Sequence, residues 1–409
     1  MTTLADRPVT ASTGSFKLSM LLNDSRYRSL TFQFIALVAI IAFMAFVGGN
    51  LVRNLTAAGL NISYAFLGEP SGYDINQRLI DYDSQSSHGR AAVVGLLNTL
   101  LVAFLACVTA TIFGVVAGVL RLSNNWIVSK IMALYVEIFR NVPVLIWILI
   151  IFSIMINVAP SPRDFRGDDA TASMMFFDTI AVTNRGVYLP KPIWGDGSMI
   201  VLAVFLASIV GIFAYRRYSR KQLFDHGKMV PVLWPSIALF FVPVILVQLI
   251  LGNPITLSYP ELKGFNFRGG ITILGSLIAL WFALAIYTGA FIAENVRAGI
   301  LAISKGQTEA AGALGLRPNQ IMSLVVLPQA LRVIIPPLIS QYLNITKNSS
   351  LAIAVGYMDV TGTLGGITLL KTGRAIETIL LLMLFYLTVS LLISFFMNIF
   401  NNRMKLQER

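Results

Sequence analysis

Charge is what this sequence has least of. Only 12% of its 409 residues are Asp, Glu, Lys or Arg, about half the share of an ordinary soluble domain. That scarcity excludes a disordered chain and argues against a water-soluble globule. Cysteine is nearly missing too: Cys107 alone permits no internal disulfide, and two histidines without cysteine companions leave little to build a metal centre from. No Gly-x-x-x-x-Gly-Lys-Ser/Thr run occurs, so the chain forms no P-loop. Neither His88 nor His226 belongs to a His-Glu-x-x-His pair, which leaves zinc-protease or acyltransferase chemistry without its residues. The expectation is a chain that is not itself an enzyme, with no catalytic residue and no cofactor of its own.

Apolar residues take the place of charge, at 56% of the chain. Seven stretches of at least 19 residues lack any charged residue: 29 to 52, 91 to 120, 141 to 162, 197 to 215, 229 to 260, 269 to 293 and 378 to 402. A spanning helix needs about 20 mainly apolar residues, because it must satisfy its own backbone hydrogen bonds across roughly 30 Å of hydrocarbon. Each run meets that length. An eighth candidate, 333 to 357, is interrupted by Pro336, Pro337 and Lys347 and reads as a kinked helix packed against protein. The first run is too long for a signal-peptide core and reads as an anchor. The preceding arm, 1 to 28, reads as disordered and cytoplasmic.

Basic residues set the orientation. With the N-terminus inside, the cytoplasmic segments hold nineteen basic and seven acidic residues and the outer segments eleven and twelve. The formal net charge of +12 therefore sits on one side, as the positive-inside rule asks, with both termini cytoplasmic. Arg216, Arg217, Arg220 and Lys221 form the densest cluster. Dispersal over five short loops, with no polar domain to form a groove, argues against nucleic acid as a partner.

The segment 294 to 332 is the longest inner loop. Residues 307 to 315 favour helix, Gly315 is placed to end it in a left-handed turn, and Pro318 suits the start of a second helix running towards Leu327, where Pro328 stops or bends it. Ala310, Ala311, Gly312 and Ala313 would let another protein approach closely. An amphipathic loop lying along the headgroups is an equally good physical reading.

Glu309-Ala310-Ala311, Gly315, Val325 and Leu327-Pro328, at their spacing, resemble the signature cytoplasmic loop of ABC importer permeases, with Val325 in place of the usual Ile. The flanking GAFIAENVRAGILAISKGQTEAAGALG and VVLPQALRVIIPPLISQYLNITKNSSLA are similar to those of the polar and general L-amino-acid uptake permeases. So are LNTLLVAFLACVTATIFGVVAGVLRLS and ALYVEIFRNVPVLIWILI upstream. The resemblance implies an all-α integral membrane fold of about eight transmembrane helices, with a type I importer permease core over 91–402. To that core the chain adds an extra N-terminal transmembrane helix (29–52) and an inserted loop and helical hairpin (160–265), with 294–332 as the cytoplasmic coupling loop. It further implies binding-protein-dependent import of amino acids across a bacterial inner membrane. The partners would be ATP-binding subunits that hold the ATP and Mg, a second homologous permease giving a heterodimer, and a periplasmic amino-acid-binding protein. Loop 305–328 would couple to the ATPase, with Glu309 as its charged contact.

Charges near the spans are costly and stand out for that reason. Glu137 with Arg140, and Glu294 with Arg297, are spaced to bridge on one helix face at cytoplasmic helix ends; they read as anchoring salt bridges or as part of a gate. Lys347, Asn348 and Ser349, following two prolines, are candidates for a pathway-facing helix break. Asn348 stands where family members often have an acid. Gly114 and Gly118 read as a helix-packing motif. Two other classes stay open: an ion-coupled secondary transporter, which would carry buried acids at midplane, and a membrane channel or scaffold component.

Overall fold

A computed structural model describes residues 25–59, 61–167 and 170–404; most of the expected N-terminal arm lies outside them. The chain divides into two compact units, 1–64 and 65–409. The first holds one described helix, α1 (Ser25–Ala57), whose apolar side chains are exposed along its length. A helix uncharged over residues 29–52 and with no buried face is suited to lipid rather than water.

In the second unit, α2 (His88–Leu120) starts at Ser87, whose hydroxyl accepts the Arg90 N–H at 3.3 Å. Its buried stripe is Ala91, Gly95, Ala103, Ala106, Ala110, Gly114, Ala117 and Gly118. That stripe of small side chains meets α7 (Gly275–Leu301), which buries Ala279, Ala283, Gly289, Ala290 and Ala293. A methyl group on Gly114 would come within 2.5 Å of Ile292, and one on Gly118 within 2.7 Å of the Ala293 carbonyl oxygen. Only glycine admits that approach, so the G-x-x-x-G pair serves helix packing. α7 is the central post of the bundle, and the main core gathers Val102, Ile148, Leu280, Leu284, Ile292 and Ile345 around it.

α3 (Trp126–Asn141) and α4 (Val144–Val158) meet at a 105° bend before Val144. Pro143 has no N–H and pushes Val142 to extended backbone, which breaks the helix there. The third span expected over 141–162 is therefore only the second limb of a broken pair. Among the described residues, seven helices are long and apolar enough to cross a membrane, and an eighth span results if the bent pair counts as one.

The insertion holds α5 (Ser198–His226) and α6 (Leu233–Ile250), paired through an edge-on contact of Phe205 with Phe240 at 5.5 Å. In it, and in the stretch that follows as far as Leu274, lie strands that the all-α reading did not foresee. β1 (Ala181–Thr183), β2 (Gly186–Leu189) and β7 (Ile271–Leu274) form an antiparallel sheet, with Ala181 opposite Tyr188 and Tyr188 opposite Thr272. β3 (Lys191–Trp194) pairs with β4 (Ile255–Ser258), and β5 (Glu261–Lys263) with β6 (Asn266–Arg268). Phe267, Tyr188 and Ala181 form a small core among them. These strands bind the two sides of the inserted hairpin to the N-terminal end of α7.

After α7 come α8 (Lys305–Ala313), the single turn α9 (Pro318–Ile321), a wide π turn over Met322–Val326, and α10 (Leu327–Asn348). A 3₁₀ stretch (Ser349–Val355) and a π stretch (Thr361–Thr368) then lead through α11 (Leu369–Thr372) to α12 (Ala375–Met404).

Candidate coupling surface and pathway residues

The hairpin of α8 and α9 is fixed from within by its cap. Gly315 lies at φ +79; its N–H reaches the Gly312 carbonyl at 2.9 Å, and the Leu316 N–H reaches Ala311 at 3.3 Å. These paired bonds are a Schellman end, which satisfies the orphan carbonyls of α8 and sets the angle of the exit. Glu309, Ala310, Gly312, Ala313 and Leu314 are exposed, while Ala311 is turned inward and buried. Pro318 occupies the first turn of α9, as expected. The second helix, however, does not end at Pro328: the chain passes through the π turn straight into α10. Pro328 lies in the first turn of α10, where the wide π turn already breaks the ordinary bonding and its missing N–H costs least.

At the same end of the bundle, four charges join three helices. Glu294 on α7 accepts bonds from Arg297 Nη2 (2.6 Å) and Arg297 Nε (3.2 Å), as its spacing foretold. It is also bonded by Arg121, the residue that closes α2. Arg121 further lies 3.8 Å from Glu137 on α3. The expected Glu137–Arg140 bridge does not form. Arg140 instead lies over the Phe291 ring at 5.2 Å, because α3 packs against α7 and carries Arg140 towards that helix. Arg121 was missed: it closes an uncharged run and has no acid near it in sequence, so only packing reveals its role.

Lys347, Asn348 and Ser349 do not share one face. Helix α10 runs unbroken through Pro336 and Pro337 to Asn348 and then tightens into 3₁₀. Thr346 and Ser349, three apart, are fully buried, and the Ser349 hydroxyl donates to the Thr346 carbonyl at 2.8 Å. Lys347 points the other way and is exposed, with no ion pair among the described residues; Asn348 is half-buried. Ser349 therefore belongs to the interior, whereas Lys347 is exposed.

Residues 65–87 add a part that sequence reasoning did not single out, a strap across the end of the bundle where α2 begins. Ile75 and Tyr82 pack on Ala91 and Val94 of α2. Asn98 of α2 donates one N–H to the Gln77 carbonyl of the strap (2.7 Å) and the other to the Met358 carbonyl beyond α10 (2.8 Å). The Tyr73 hydroxyl meets Thr368 Oγ1 at 3.0 Å, and Lys371 Nζ lies 5.8 Å from the centre of the Tyr73 ring. Burial pushes the Tyr73 phenol up to about 12, so it stays a neutral hydroxyl in this contact at any physiological pH.

Long uncharged helices packed through small side chains, with most of their outer surface apolar and uncovered, define a polytopic α-helical membrane protein. The chain belongs to the family of binding-protein-dependent transport system inner membrane components, whose profile matches residues 199–406. It is 49% identical to the glutamate/glutamine/aspartate/asparagine transport system permease protein BztB of Rhodobacter capsulatus, over 96% of this chain and 97% of the relative. It is 41% identical to the general L-amino acid transport system permease protein AapQ of Rhizobium johnstonii, over 98% of each. A solved amino acid ABC transporter with histidines is similar over 77% of this chain and 95% of its own, at 19% identity and a TM-score of 0.44. The protein is thus a multi-pass permease component of an ABC importer, and its family implies ATP-binding and substrate-binding protein partners. Relatives that align over nearly the whole length also match the N-terminal helix and the insertion.

Proposed function

We propose that the chain is one of two different permease subunits of an importer for polar L-amino acids, broad in range. A separate ATPase would hold ATP and Mg and drive it through loop 305–328. The observation that carries this reading is α8: a helix rigidly capped at Gly315, exposed on Glu309, Ala310, Gly312 and Ala313, and joined through the Gly315 turn to α9, which runs on into α10. A helix whose small, open face touches little of its own chain suits close contact with another protein. Glu309 supplies its charge, and Leu327-Pro328 would carry the motion into α10. Glu294, Arg297, Arg121 and Glu137 would hold three helix ends together while that motion occurs, and Lys347 would meet the substrate carboxylate. The names of the full-length relatives support amino acids as cargo. Both termini would be cytoplasmic.

Gentle extraction of the tagged chain tests this reading. The expected result is a stoichiometric soluble ATPase together with a second permease of different sequence. A chain recovered without an ATPase would overturn the coupling role, and a second identical copy in place of another permease would overturn the heterodimer.

A further inference from the structure

The inserted hairpin carries five basic residues on its cytoplasmic side, and the family's coupling surface uses none of them. From Ser198, where α5 begins, to Arg216 is about 27 Å of helix at 1.5 Å per residue, close to the thickness of the hydrocarbon layer. The first guanidinium thus reaches the level of the inner headgroups. Arg216 and Arg220 stand one turn apart on one face of α5, with Ser219 and Leu223. The returning segment folds back against that face: the Tyr215 hydroxyl donates to the Pro231 carbonyl at 2.9 Å and the Ser219 hydroxyl to Val230 at 3.3 Å.

Two grooves result, of about 530 and 620 Å³, and both are lined by Arg216 and Arg220. One is walled by Leu223, Met229 and Val230, the other by Phe213, Phe224 and Arg217. None of Arg216, Arg217, Arg220, Lys221 and Lys228 forms an ion pair among the described residues, and the sole acid of the stretch, Asp225, is exposed and equally without one. Topology alone requires only that the loop be positive. It does not require two cations on one helix face, unneutralised, between walls of aliphatic and aromatic side chains.

We infer that this face of α5 is a binding site for an acidic phospholipid of the inner leaflet. The phosphate would lie between Arg216 and Arg220, with the chains against Phe213 in one groove or Leu223 and Met229 in the other. The apolar walls favour a lipid over a free phosphate, since inorganic phosphate gains nothing from them, and basic pockets at the cytoplasmic ends of transmembrane helices suit anionic headgroups.

The test is native mass spectrometry of the full chain, purified with its partner subunits, after addition of phosphatidylglycerol, cardiolipin or phosphatidylcholine. Wild-type protein should retain phosphatidylglycerol or cardiolipin over phosphatidylcholine, and Arg216→Gln with Arg220→Gln should cut that retention roughly ten- to thirtyfold, the value of two cations at a membrane surface. Arg28→Gln with Lys130→Gln removes the same charge elsewhere on the cytoplasmic side, outside the coupling loop, and should leave retention unchanged. Equal losses in both double variants would reduce the effect to general electrostatics and overturn the site. Displacement of the lipid by millimolar inorganic phosphate would make it a free-anion site and also overturn the proposal. Should the double variant fail to assemble, the wild-type lipid comparison still decides: equal retention of phosphatidylglycerol and phosphatidylcholine disposes of the site.

Discussion

Gly315 shows how much a single backbone angle carries. Its surroundings are open, with no atom within 4 Å of where a Cβ would stand, so any harm from a side chain comes from φ +79 itself. An L-residue there costs about 1–2 kcal/mol, and the helix can relieve it by unwinding the Schellman turn. Gly315→Val is therefore expected to insert normally yet to lose roughly 5- to 30-fold in vesicle transport, since 1.4 kcal/mol is a factor of ten in an equilibrium. Normal transport rates in the variant would refute the lever. Glu294 acts differently, through its partners. Its side chain is 23% exposed and that of Arg121 16%, so removing either charge strands the other in a partly dry site. Glu294→Gln is expected to lower stability by about 2 kcal/mol, less than a fully buried pair. A double-mutant cycle with Arg121→Met, read by thermal unfolding in detergent, should show coupling above about 0.5 kcal/mol.

Among elements, the strap depends on one amide. Asn98 is fully buried and fills two carbonyls from opposite ends of the chain, so Asn98→Ala leaves both unpaired at a cost of about 2–3 kcal/mol. Trypsin cleavage after the exposed Arg78 in spheroplasts should quicken in that variant; unchanged cleavage would mean that the strap is held by its apolar contacts alone. The spans, the cap at Gly315 and the Glu294–Arg297 pair were legible because each is written locally, in an uncharged run, a glycine after a helix former, or an i, i+3 spacing. Strands of three or four residues, such as β1 and β5, are too short to show a period of two. The bonds of Arg121, Asn98 and Tyr73 join residues 173 to 295 positions apart, a separation that no spacing rule reaches. Pro143 could have warned of the bend between α3 and α4, since it sits within an otherwise apolar run.

For the whole molecule, the near absence of cysteine becomes an experimental asset. With Cys107→Ala as background, Ser173→Cys in the outer insertion should react with an impermeant maleimide on intact cells. Asp225→Cys, at the end of α5, should react only after the membrane is opened. Labelling of both from outside would reverse the orientation read from the basic residues.

The strap also imposes an order of events on biogenesis. Tyr73 must find Thr368, which leaves the ribosome 295 residues later. At a synthesis rate of 5–20 residues per second, that is a delay of roughly 15 to 60 s during which residues 65–87 have α2 to pack on but lack their partners beyond α10. This end of the bundle is therefore closed late, and until then a nascent chain carries an unfinished strap.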